Sequence, residues 1–412
     1  MLRLTRFRER EDGAVAIIVA MLFFFGVMLA LGALTVDVGN INADRRQLQN
    51  GADAVALAVA QQCAHGTCTP IDPTLFTIDS NLQKLVDANA ADGATAIRRV
   101  DKGTPVGTPA GTAAICGNLT GLFACQPSWT PSMSNLQECP AAVPSGVKYV
   151  RAYTETKSSA GDNILPYYFG AAITGIKGAN QQACAAVAVG PAGLSPSLPF
   201  AFSACEWKNA TSGGTVFHPA PPYSVTNPMD PLWEKVIQFN TINGTDCNWN
   251  GHDFAGGFGW LCHDSGCTPP AASTCSITTS DGWVDANTGN GAGNDCRAEI
   301  EAAVGTVIFI PVFDCINPNK NNCPDPVGVE KSTGTHTYYH IQGYAAFFLT
   351  AVEDGSITKS LSGYPTAAST TACSAKGGKC LFGWFLQDLS KVPGIIDPNA
   401  YNFGLLVIQT VG

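Results

Sequence analysis

From Ala14 to Val36 the chain runs twenty-three residues without a charge, nearly all of them apolar, and the polar pattern returns abruptly at Asp37. At about 1.5 Å rise per residue, a helix of that length reaches about 34 Å, enough to cross a hydrocarbon core of about 30 Å with a little tilt. The pattern predicts a tail over 1–13 and a transmembrane helix over 14–36. Beyond the span Val38, Ile41, Leu48, Val55 and Val59, with Ala52 between them, recur at spacings of three and four, while Asn42, Asp44, Arg46, Gln49 and Asn50 fall largely elsewhere. The helix is therefore expected to continue as an amphipathic one over 37–62. Alanines at 52, 54, 56, 58 and 60 raise its propensity and permit close approach by whatever it packs on. A helical stripe is most often core, so packing on the chain's own ectodomain is the first expectation and a partner helix the second.

Past the helix the periodicities are shorter. Ser80 to Ala91 reads as a short helix, Val147 to Thr156 alternates as a strand, and Asn163 to Thr174 reads as a helix interrupted near Pro166. Gly190 to Pro199 mixes breakers with few groups able to pack, so a linker is placed at 191–199. It separates a first ectodomain region, 63–190, from a distal β-rich domain, 200–412. The distal part carries β-rich runs at Gly305 to Asp314, His336 to Thr350, Lys379 to Leu386 and Phe403 to Val411. The fold class expected is α+β: one N-terminal transmembrane helix extended by an amphipathic helix, then a disulfide-stapled, largely antiparallel β-rich ectodomain.

Charge and cysteine usage orient this arrangement. Arg3, Arg6, Arg8 and Arg10 precede the span against Arg45 and Arg46 after it, which favours a cytoplasmic N-terminus. All sixteen cysteines, Cys63 to Cys380, follow the span, as expected of an extracytoplasmic chain that oxidises them. A cleaved signal peptide is the competing reading of the same basic start. The apolar run is too long for a usual h-region, however, and its end offers no A-x-A site. Charged residues are only 13% of the chain, and the net charge of -9 comes with no basic run to neutralise phosphates, so nucleic acid is not an expected partner.

The cysteines carry the recurrent chemistry. Cys63 with Cys68, Cys262 with Cys267, Cys315 with Cys323, and Cys373 with Cys380 would close short loops and are the candidate local disulfides. Cys315, Cys323, His336 and His340 have some of the look of a zinc site. Seven residues in the first interval and a strand-like run at the histidines argue against it, as does an oxidising compartment. The Cys262, His263, Cys267 cluster is weighed the same way. Asp285 to Asp295 is rich in side-chain oxygens yet lacks the sixth-position Gly and twelfth-position Glu of a calcium loop. No G-x-S-x-G, H-E-x-x-H or phosphate-loop motif occurs, and nothing requires His252, Asp253 and Ser265 to meet, so no enzyme, metal or cofactor is expected. Trp249, Trp260, Trp283 and Trp384 would suit a carbohydrate or protein ligand if exposed, but burial in the core is the commoner fate.

Glu11-Asp12-Gly13-Ala14-Val15-Ala16, Val36-Asp37-Val38-Gly39, Arg45-Arg46-Gln47-Leu48-Gln49-Asn50 and Ala52-Asp53-Ala54-Val55-Ala56-Leu57-Ala58 resemble the N-terminal segment of TadG-like Flp pilus-assembly proteins of bacteria. Gly257 to Leu261, Ile310 to Asp314 and Tyr344 to Phe347 are loosely similar to ectodomains that some members carry. The resemblance implies a non-enzymatic single-pass protein of the bacterial cell membrane, working beside other pilus or secretion assembly proteins. A homo-oligomer through the N-terminal helix is a further possibility on this reading. Val38, Ile41, Leu48, Asn50, Asp53 and Val55 are the expected partner contacts. Two departures limit the analogy: Ile18 stands where a prepilin places Glu, and no D-x-S-x-S cation motif occurs. A cell-surface binding module or adhesin using the distal domain is the alternative, and an envelope hydrolase a more distant one.

Overall fold

The computed structural model describes residues 11–64, 68, 79–91, 93, 95–97, 115–122, 124–125, 143, 145–157, 164–171, 175–194, 197–224, 227–239, 247–249, 252–254, 258–261, 282–285, 296–317, 338–354, 357–374, 378–390 and 395–411. One helix runs unbroken from Glu11 to Ala64, two residues beyond the expected end. No proline interrupts it, and its alanine-rich second half has high intrinsic propensity. The two halves meet different surroundings. Leu22 and Phe23 are 68% and 73% exposed, whereas Leu48, Ala52, Val55, Ala56, Val59 and Ala60 are buried.

What buries the second half is a seven-stranded sheet. Its two central strands, Lys148–Thr156 and Gln182–Leu194, pair antiparallel. Thr95–Ile97 and Ile115–Gly117 extend the first of them. The C-terminal strand Leu405–Thr410 extends the second and pairs in parallel with Asp388–Ser390. The helix side chains interleave with Ile97, Ile115, Val150, Ala152, Ala185, Val187 and Val189 of this sheet, and with Leu82 and Val86 of a short helix, Ser80–Asp87. Asp79 caps that helix by accepting from the Asn81 amide at 2.8 Å. Gly51 lets it approach, since a Cβ there would lie 3.2 Å from Val86 Cγ1. Each fully buried Val or Leu removed from water in this way contributes about 1.5–3 kcal/mol.

The other face of the same sheet covers a second one. The two-residue period of Leu405–Thr410 shows it: Leu406 and Ile408 pack toward the helix, while Leu405 and Val407 belong to the distal core. That core rests on an eight-stranded sheet in which Phe258–Trp260, Phe200–Ser203, Val307–Asn317, Tyr338–Asp354, Lys379–Leu386 and Lys235–Gln238 lie side by side. Its pairings are antiparallel except where Val307–Asn317 meets Phe200–Ser203. Phe202 meets Phe347 and Phe385 edge-on, with ring centroids 5.0 and 5.6 Å apart, and the Trp207 indole donates to the Phe403 carbonyl at 2.8 Å. The architecture is α+β, a helix on a sheet on a sheet.

Two local expectations need correction. The breaker-rich stretch placed as a linker at 191–199 is, over 190–194, the end of the strand Gln182–Leu194, where Gly190 and Pro191 pair with Val407 and Leu406. Pro191 lacks a donor, but its carbonyl accepts from the Asp397 amide at 3.2 Å. Of the stretch Asn163 to Thr174, read as an interrupted helix, 163 and 172–174 lie outside the described residues and 170–171 are helical, but 165–166 are not. Leu165–Pro166 pairs instead with Gly178–Ala179, because Pro166 and its restricted predecessor favour extended backbone.

Among the described residues, disulfides join Cys63 with Cys68, Cys373 with Cys380, and Cys116 with Cys125, the last pair unanticipated. Cys184, Cys205, Cys296 and Cys315 are also disulfide-bonded. Cys262, Cys267 and Cys323 lie outside the described residues.

Candidate functional site

The long helix is joined to the β-rich part of the chain by polar groups as well as by its apolar stripe. The Thr154 hydroxyl donates to the Leu48 carbonyl at 2.9 Å, and the Thr156 hydroxyl to Asp44 Oδ2 at 2.7 Å. Gln47 Oε1 accepts from the Ala91 amide at 2.9 Å, and Gln49 Nε2 donates to the Cys184 carbonyl at 3.1 Å. Gln49 also reaches Asp53 Oδ1 at 3.2 Å. Asp53 lies well past the apolar span, where burial pushes its carboxyl up and the Gln49 hydrogen bond partly offsets the shift.

The six residues expected to meet a partner therefore fall in different settings. Val55 is covered by the chain's own sheet and Leu48 is buried, while Ile41 and Asp53 are half-buried. Val38 and Asn50 are exposed. With Asn42, Arg46 and Leu57 they form an exposed stripe along the helix, at spacings of four and seven. The helix thus presents a covered apolar face and an open mixed one.

Asp37, the first charge after the span, is a group that sequence reasoning passed over. It is only 7% exposed. Its Oδ1 accepts the Tyr168 amide at 2.9 Å, and its Oδ2 the amides of Phe169 at 3.2 Å and Gly170 at 2.5 Å. Three backbone donors converging on one carboxylate hold the segment 168–170 against the point where the apolar run ends. The signals in the sequence are its position, directly at the end of an uncharged run, and its place in Val36-Asp37-Val38-Gly39, one of the stretches that carry the family resemblance.

The remaining candidates are scattered. Asp314 and His340 face each other, with Oδ1 and Nδ1 2.6 Å apart, and Cys315 adjoins them. Cys315 is disulfide-bonded, which removes one of the two thiolates a zinc site would use, and His336 and Cys323 lie outside the described residues. The Cys262, His263, Cys267 cluster and residues 286–295 of the calcium-like loop lie outside them as well. His252 and Asp253 sit on a short strand, His252–Phe254, paired with Cys247–Trp249, while Ser265 is outside the described residues. Trp384 is fully buried, and Trp283 is half-buried against His340 with ring centroids 4.9 Å apart.

No curated protein and no solved structure matches the chain. One family model does, and the residues it covers coincide with the long helix almost end to end. Over residues 13–62 the helix matches the family model described as putative Flp pilus-assembly TadE/G-like.

Proposed function

We propose that the chain is a non-enzymatic, membrane-anchored component of a Flp pilus-assembly or secretion machinery. The observation that carries this reading is the coincidence of the TadE/G-like match with a helix that is bare over its apolar first half and built into the ectodomain over its second. Such a helix joins the ectodomain rigidly to the span, because its second half is itself part of the core. The N-terminus lies in the cytoplasm and the bulk outside, a reading supported by the arginines before the span and by the oxidised cysteines after it. Other assembly proteins, or a second copy of this chain, meet the open stripe of Val38, Arg46, Asn50 and Leu57. The covered face is already occupied.

A photo-crosslinking residue in place of Asn50 or Leu57, introduced into the full chain in native membranes, tests this. The expected result is adducts with other pilus or secretion proteins, or with a second copy, from both positions. A control position is Leu232, 84% exposed on the distal part. Adducts from Leu232 and none from Asn50 or Leu57 would overturn the reading and favour a binding module that uses its distal domain.

A further inference from the structure

The hairpin held by Asp37 has an unusual surface. Leu165–Pro166 and Gly178–Ala179 pair at its base, with the Tyr167 amide also donating to the Lys177 carbonyl at 3.0 Å. From it project Ile164, Tyr168, Phe169 and Ile176, which are 46%, 69%, 48% and 57% exposed. Among the other described residues beyond the span, exposed large apolar side chains are scattered along the helix and over the distal part. Here four of them lie on one short hairpin, with the exposed Lys177 beside them. Exposed apolar side chains gathered on one short segment mark a surface that something covers.

Its position identifies what covers it. Residues 14–36 form about 34 Å of helix against about 30 Å of hydrocarbon, so Val36 reaches the boundary between acyl chains and headgroups. Asp37 is the next residue, and it is hydrogen-bonded to the three amides that carry Tyr168, Phe169 and Gly170. The hairpin is therefore tied to the level at which the helix leaves the bilayer, with no length of free chain between them. The ring of Tyr168 with its one polar end, the ring of Phe169, two aliphatic side chains and a lysine able to reach phosphate are a composition suited to a membrane interface. Asp37 tolerates that depth because backbone donors replace its water.

We infer that the paired segments 164–171 and 175–179 form a second membrane contact, their aromatic and aliphatic side chains lying among the lipid headgroups beside the emerging helix. This rests on the reading of 14–36 as a transmembrane helix. Two points of attachment, a span and an interfacial hairpin, fix the tilt and rotation of the ectodomain where a lone span would leave them free.

Depth-dependent quenching tests it. A fluorescent amino acid replaces Phe169, or Phe24 within the span, in the full chain reconstituted in phosphatidylcholine vesicles that carry nitroxide lipids labelled at the headgroup or at mid-chain. The Phe169 probe is expected to lose most of its emission to the headgroup label and less to the mid-chain label, while the Phe24 probe shows the reverse order. Replacing Asp37→Ala is expected to relieve quenching at position 169 and leave position 24 unchanged. If the Phe24 probe is quenched and the Phe169 probe stays as bright as in label-free vesicles, the hairpin faces water or protein and the inference fails while the anchor stands. If neither probe is quenched, the transmembrane reading fails and this inference with it. Quenching at 169 that survives Asp37→Ala would overturn the assigned tether.

Discussion

The hydroxyl of Thr154 donates to the carbonyl of Leu48 across 2.9 Å in a fully buried setting, joining a strand to the long helix over 106 positions of sequence. The carbonyl also belongs to the helix's own ladder, so the threonine adds a second donor to it without replacing the first. Thr154→Val keeps the shape and removes the donor. The expected loss is about 1 kcal/mol, read as a lower urea midpoint of the full chain in detergent with an unchanged slope.

The two faces of the helix predict opposite sensitivities. Leu48 is only 1% exposed, so Leu48→Ala is expected to cost about 2–5 kcal/mol of stability. Leu57 is 39% exposed on the open stripe, and Leu57→Ala is expected to change stability by no more than about 0.5 kcal/mol. Denaturant titration of both variants checks the pair, and equal losses would contradict the division into covered and open faces.

That division was partly legible in the sequence. The three-and-four spacing of Leu48, Ala52, Val55 and Val59 marked the covered face, and the uncharged run marked the span, because both signals are local and periodic. The strands at Lys148–Thr156 and Lys379–Leu386 were readable for the same reason. What escaped is non-local. Nothing within ten residues of Gly190 or Pro191 says that the C-terminal strand Leu405–Thr410 returns to pair with them, and without that partner the stretch reads as a linker. The Asp37 contact escaped likewise, since its donors are backbone amides more than 130 positions away and backbone amides leave no trace in composition. The close pairs Cys63 with Cys68 and Cys373 with Cys380 were foreseen by proximity; Cys116 with Cys125, nine apart, was not.

The Cys373–Cys380 bridge ties the helix Ala367–Ser374 to the start of the strand Lys379–Leu386, and both sulfurs lie in a small core with Ala351 and Phe382. Replacing both cysteines by serine frees the loop in the unfolded chain and places hydroxyls in that core. A loss of about 2–4 kcal/mol is expected, visible as a lower unfolding midpoint under non-reducing conditions.

Asp354 is buried at the far end of the Tyr338–Asp354 strand, with its Oδ1 3.2 Å from the Lys379 ammonium. Burial raises its carboxyl above the ordinary value of 3.8, and the lysine lowers it by a smaller amount. A raised folded pKa means that the folded state binds the proton more tightly than the unfolded one. The ionised form is thus penalised above the folded pKa, and that penalty is relieved as pH falls through it toward 3.8. Asp354→Asn is expected to remove this contribution, so that the variant's stability falls more steeply on acidification through that window than the parent's. Lys379→Met is expected to move the window to higher pH. Unfolding midpoints measured across mildly acidic pH for all three proteins check the sign.

The account turns on the second half of the TadE/G-like helix being a core element of the ectodomain, and hydrogen exchange of the full chain in a bilayer measures that directly. The amides of 48–60 are expected to exchange as slowly as those of the strands Lys148–Thr156 and Gln182–Leu194, because all three open only when the shared core opens. Exchange at 48–60 that is orders of magnitude faster than in those strands would mean a free stalk undocked from its sheet, and would contradict the account.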